Sequence, residues 1–173
     1  MSNPNNRFLI DSNSIIAPYK TFYPFDFAER FWIQLRNNIE SGQIIVLDIV
    51  RDELCKGEDK LTDWINEFDE GLILSRNNMQ ILEKYGEIIN YINVAPYYSK
   101  KALTTWSQES VADPWLIAAG CVYGYEIVTF ENQSGNLNGT NPSKNPKIPD
   151  VAAHFGVQCC SLYNMMRVLS IGL

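Results

Sequence analysis

Short apolar runs alternate along the chain with longer segments of helical period. Phe8-Leu9-Ile10 is continuous rather than alternating, which predicts a strand buried on both faces. "IIVL" (44–47), "EIVTF" (126–130) and "VQCC" (157–160) predict three more strands. Between the first two, Asp26 three residues ahead of Glu29 reads as a helix start. Phe27, Phe31 and Leu35 follow at helical spacing, and Gly42 stops that helix. "DIVRDEL" (48–54) opens another helix with Asp48 as its N-cap and Val50 and Leu54 on one face. Leu61, Trp64, Ile65 and Phe68 fall at i, i+3, i+4 and i+7, an amphipathic helix. Residues 79–93 repeat the pattern with Ile81, Leu82, Tyr85, Ile88 and Ile89, and residues 98–109 predict a further helix. "DPWLIAAGCVYG" (113–124) is a helix with Asp113 at the cap and Pro114 in the first turn. Residues 132–149, rich in Asn, Gly, Ser and Pro, read as one long loop, a length that favours a functional role. "PDVAAHFG" is a short helix and "LYNMMRVL" closes the chain as another.

Strands alternating with helices predict an α/β fold, a three-layer α/β/α sandwich with a central, mainly parallel sheet. The chain has 173 residues, 46% of them apolar, which suits a single domain over 1–173. In such sheets the functional crevice lies beyond the carboxyl ends of the strands. Asp11 and Glu131 stand there, each directly after an apolar strand.

Charge and cysteine content narrow the chemistry. The net charge of −6 gives no long-range attraction for phosphate backbones, so nucleic-acid binding requires a local basic patch or a bound cation. The four cysteines form no C-x-x-C pair, which excludes a zinc site and a secreted disulfide framework; they are expected to pack as small buried side chains. His154 is the single histidine, so histidine-rich metal sites are excluded and the residue reads as structural. With no leader-like stretch and no apolar run near ~18 residues, the expected setting is cytoplasmic, with no membrane partner.

Each acid has an ordinary role on its own. Asp11 suits an Asx-turn, Glu53 a solvated helix face, Asp113 a helix cap, Glu131 a loop start, and Asp150 a helix N-terminus. Asp48 is better explained as a cap, and Asp52 points elsewhere around its helix. Gathered together, Asp11, Glu53, Asp113 and Glu131 would repel one another and take up protons. A hard divalent cation such as Mg²⁺ or Mn²⁺, which prefers oxygen ligands, reverses that cost.

The segments "FLIDSNSII", "VRDEL", "DPWLIAAG" and "IVTFEN", in this order, make the sequence resemble a PIN domain, the fold of many bacterial toxin ribonucleases. The helical middle and "KIPDVAAHFGV" resemble one uncharacterised bacterial subgroup, thought to be toxin components of toxin–antitoxin pairs. The resemblance implies an endoribonuclease with four acids around one or two Mg²⁺ or Mn²⁺ ions. Those positions here are Asp11, Glu53, Asp113 and Glu131, with Asn13 as a polar position two residues after the first acid. Many PIN domains have Asp where this chain has Glu131, so Asp150 competes for the fourth position. The resemblance also implies an RNA substrate and a small antitoxin protein as partner, and leaves a homodimer open. Asn13 or Thr129 would position water or a phosphate oxygen, and Lys100, Lys101, Lys144 and Lys147 are candidate phosphate contacts. Tyr97, Tyr98 and Trp106 suit either a partner surface or the core.

Two rival readings follow from the same residues. An aspartate-nucleophile phosphatase would place its nucleophile at Asp11, but Asn13 stands where such enzymes want a second Asp. A non-catalytic binding or scaffold protein would use the acids as caps and solvated charges.

Overall fold

The apolar runs form the middle of the molecule. Phe8, Leu9 and Ile10 (β1, Phe8–Ile10) are buried throughout, as the unbroken run predicts. In this computed structural model, which describes residues 7–173, β1 is the central strand of a five-stranded parallel sheet. Residues 1–6, included in the single-domain assignment, lie outside the described residues.

The sheet order is β3-β2-β1-β4-β5, with β2 at Ile44–Leu47, β3 at Ile73–Leu74, β4 at Glu126–Val128 and β5 at Cys159–Cys160. Leu9 pairs with Ile45 on one side and with Ile127 on the other. Helices cover the sheet to give a three-layer α/β/α fold, around one contiguous core. They are α1 (Asn13–Ala17), α2 (Glu29–Glu40), α3 (Asp48–Cys55), α4 (Lys60–Asn66), α5 (Met79–Val94), α6 (Lys100–Trp106), α7 (Ala112–Tyr123), α8 (Ile148–His154) and α9 (Leu162–Val168). The chain leaves β1 toward β2 and β3, then returns to β4 and β5 on the opposite side. The strand order therefore reverses between β1 and β4, where parallel α/β sheets open their crevice.

Several local details depart from the sequence pattern. α2 starts at Glu29 after Ala28, which makes no side-chain cap, so Asp26 and Glu29 do not form the expected start; Phe27 precedes the helix and is 80% exposed. Phe31 and Leu35 are buried as predicted, and Gly42 with φ +73° ends the segment. Asp48 is the first residue of α3 rather than its cap, and α7 begins one residue before Asp113, after an uncapped Val111. α6 is shorter than the expected span 98–109. Tyr98 and Trp106 belong to the core. The cysteines are free and half-buried rather than fully packed. His154 is exposed and stacks on Tyr91 with ring centroids 3.8 Å apart. Neither β3 nor the single π-helical turn Pro18–Phe22 was expected from the pattern. Among the described residues no helix is long and apolar enough to cross a membrane.

Candidate acidic site at the strand switch

The end of β1 is fastened to the end of β4. The Asp11 backbone N–H donates to the Val128 carbonyl at 3.0 Å, and the Ser14 hydroxyl donates to the same carbonyl at 3.2 Å. This fixes Asp11 at the crevice, 4% exposed. The Thr129 hydroxyl, one residue past β4, donates to Asp11 Oδ2 at 3.3 Å. The Ser12 hydroxyl lies 3.5 Å from Asp11 Oδ1 and donates to Glu53 Oε2 at 2.6 Å. Asp11, Ser12, Glu53 and Thr129 are thus linked by hydroxyl donors across β1, α3 and the end of β4.

Arg76 decides which acid of α3 faces this group. Its guanidinium contacts Asp48 Oδ1 at 3.1 Å and Asp52 Oδ2 at 3.6 Å, and its backbone N–H donates to Asp48 Oδ2. Both competitors are drawn away, and Glu53 is the one turned toward Asp11.

Asp113 comes from the first turn of α7, and its carboxylate makes no hydrogen bond among the described residues. Burial raises its pKa to about 7, with further upward pressure from Asp11, Glu131 and Glu53 and a smaller downward pull from Lys147. Its helix N-terminus favours a negative charge by about 0.3–1 kcal/mol, too little to offset burial among acids. Asp11 is raised to about 6, first by burial and then by Glu53, against the Thr129 hydrogen bond and a weaker backbone donor at Ser12. The two carboxyls titrate as a coupled set with the neighbouring acids, above the ordinary carboxylate range. Both carry ordinary pKa values near 3.8 when free.

Glu131 is engaged on both oxygens. Lys147 Nζ donates to Oε1 at 2.8 Å and the Ile148 backbone N–H donates to Oε2 at 2.8 Å. This closes the 132–147 loop onto the end of β4 and the start of α8. Asp150 accepts from the Ser134 N–H with both oxygens, at 3.1 and 3.0 Å, and so braces the same loop. Asn13 is exposed at the rim. Lys100, Lys101 and Lys144 are exposed and make no ion pair among the described residues; of the candidate lysines, Lys147 alone pairs with a site acid.

A family model described as a domain of unknown function, DUF4411, matches residues 8–173. The chain belongs to the DUF4411 family. No curated protein matches it.

The acids of this DUF4411 chain form an oxygen-only donor set, the kind hard cations take. Among the described residues no group of three or more His, Cys, Asp or Glu is drawn together as a ready ligand cluster. Glu131 has both oxygens engaged by Lys147 and the Ile148 N–H. Mg²⁺ needs only one or two carboxylates and keeps several waters. Asp11 and Asp113, whose ionised forms are disfavoured by desolvation and by other acids, suit that requirement. Ser12 and Ser14 were not singled out from the sequence. Their position directly after a buried strand ending in Asp was the available signal, but their partners lie 41 and 114 residues away.

Proposed function

We propose that the chain is a PIN-like, Mg²⁺- or Mn²⁺-dependent endoribonuclease, acting as the toxin of a bacterial toxin–antitoxin pair. The observation that carries the catalytic part is the pairing at the strand switch of Asp11 and Asp113, both desolvated beside Glu53 and Glu131. Two carboxyls whose ionised forms are disfavoured by desolvation and by neighbouring acids gain most when a divalent cation faces them. The toxin assignment rests on the sequence resemblance.

Asp11 and Asp113 would hold the ion. The bound ion would supply Lewis acidity and the positive charge that the net −6 withholds. Thr129 orients Asp11 through its hydroxyl, and Ser12 orients Glu53, so both carboxylates present fixed oxygens. Glu53 completes the acidic wall and accepts a hydrogen bond from attacking water. Exposed Asn13 contacts a phosphate oxygen at the rim. Glu131 anchors the loop, because Lys147 and Ile148 already occupy its two oxygens. The test is cleavage of unstructured RNA in Mn²⁺ by the native chain and by Asp11→Asn. A loss of at least 100-fold, roughly what removing a key charged group costs, is expected; equal rates overturn the assignment.

One observation favours a second reading, a non-catalytic PIN-like scaffold: Glu53 and Glu131 are satisfied by protein donors. A scaffold takes up no Mn²⁺ in calorimetry. The nuclease binds Mn²⁺ and loses that binding on Asp113→Ala.

A further inference from the structure

A cleft of about 950 Å³ opens beside the acids, past the end of β4 and along the edge strand β5. That volume is at the upper end of the roughly 300–1,000 Å³ typical of small-molecule sites. Thr129 and Glu131 belong to both the cleft wall and the acidic site, so the two are continuous.

The lining is unusual in what it carries. Glu131 is its only charged residue, and Lys147 already pairs with that carboxylate. The rest of the chemistry is aromatic and amide: Phe130, Tyr163, Asn132, Gln133, Gln158 and Asn164. The side-chain amides of Asn132, Gln133 and Gln158 have no protein partner among the described residues. Each offers both a donor and an acceptor. The aromatic wall is exposed, Phe130 at 36% and Tyr163 at 42%. It continues through Phe22, 37% exposed, whose ring meets Phe130 edge-on at 6.4 Å and Tyr23 at 5.0 Å.

A phosphate track needs cations, and this cleft has none free. Flat aromatic faces with unpartnered amides suit the other part of a nucleic acid, its bases. Stacking on aromatic side chains requires bases released from a duplex, and amides read their Watson–Crick edges. We propose that this cleft holds unpaired bases of a single-stranded RNA whose backbone crosses Asp11 and Asp113. The proposal rests on the nuclease reading and adds to it the substrate's form and the means of sequence preference. Phosphate neutralisation falls to the cation site, so the cleft itself contributes little salt dependence.

The test uses the full chain with Mn²⁺ and a 12-nucleotide unstructured RNA carrying 4-thiouridine and cleavage-resistant phosphorothioate linkages, so that the cation stays bound and the probe stays intact. Photo-adducts are expected on Phe130 or Tyr163. Tyr163→Ala should weaken binding about tenfold or more, as loss of one stacked base does, and leave Mn²⁺ uptake unchanged. Gln158→Ala, on an exposed position, should alter the preferred base with little loss of stability. The same sequence as a duplex should bind at least tenfold more weakly. Adducts elsewhere, equal duplex binding, no RNA binding, or an unchanged Tyr163→Ala variant overturn the proposal. So does cross-linking of the cleft to a co-purified protein alone, which would make it a protein-docking face. RNA cleavage in Mn²⁺ with adducts elsewhere sinks the cleft and keeps the nuclease. Adducts in the cleft without any Mn²⁺-dependent cleavage do the reverse.

Discussion

The Ser12 hydroxyl donates to Glu53 Oε2 at 2.6 Å across 41 residues of sequence, joining the end of β1 to α3. It also lies 3.5 Å from Asp11 Oδ1, so one hydroxyl stands between two acids of the crevice. Ser12→Ala leaves Glu53 free to turn. In the proposed metal site this should weaken Mn²⁺ binding about tenfold, the lower end of what such supporting contacts contribute. Fold stability should fall by only about 1 kcal/mol, the worth of one hydrogen bond. Calorimetric titration and thermal unfolding separate the two effects.

The raised pKa values of Asp11 and Asp113 make stability depend on pH in an unusual direction. In the folded, metal-free chain these carboxyls keep protons that the unfolded chain releases near pH 4. The folded state binds more protons between about 4 and 7, so stability falls as pH rises through that window and then levels off. In EDTA, the melting temperature should decrease from pH 5 to pH 8. The double variant Asp11→Asn/Asp113→Asn should lose most of that slope, and in the native chain Mn²⁺ should restore stability above pH 7.

Glu131 ties the long loop to the sheet through Lys147 and the Ile148 N–H. Lys147 is 41% exposed at its side chain, so the ion pair itself is worth about 1 kcal/mol or less. Its consequence is local order rather than global stability. Glu131→Ala should speed limited proteolysis within residues 132–147 severalfold, while the melting temperature moves by only about 2–4 °C.

Gly120 sets how closely α7, which delivers Asp113, lies against the sheet. A Cβ at this position would sit 2.9 Å from Val157 Cγ1 and 3.3 Å from the Tyr125 carbonyl oxygen. Gly120→Ala should therefore destabilise the fold by about 1–3 kcal/mol, the usual cost of overpacking. Thermal unfolding measures it directly.

The sheet and most helices were legible because their signals are local. Uninterrupted apolar runs marked β1 and β2, and the i, i+3, i+4, i+7 spacing marked the buried face of α4. β3 was not legible: two half-buried residues after a 3₁₀ turn carry no period. Helix starts were misread at Asp48 and Asp113 because an acid near a helix N-terminus is favourable at the cap and in the first turn alike, whereas Asp26 lies two residues ahead of the Ala28 cap of α2. Pro114 stands third in α7, where its missing N–H costs nothing, so the helix starts a residue earlier than the Asp-Pro pair suggested. In the site, Asp11, Glu53 and Asp113 were visible as strand-end and helix acids. What Arg76, Ser12 and Lys147 do to them was not, since each acts on a partner far along the chain.

The central claim is a divalent cation held by Asp11 and Asp113 at the reversal between β1 and β4. Anomalous scattering from a crystal grown with Mn²⁺ tests it most directly. The account predicts a peak within bonding distance of both carboxylates, absent in Asp113→Ala crystals grown the same way. A map with no peak there, or with manganese bound only at other surfaces, would contradict it.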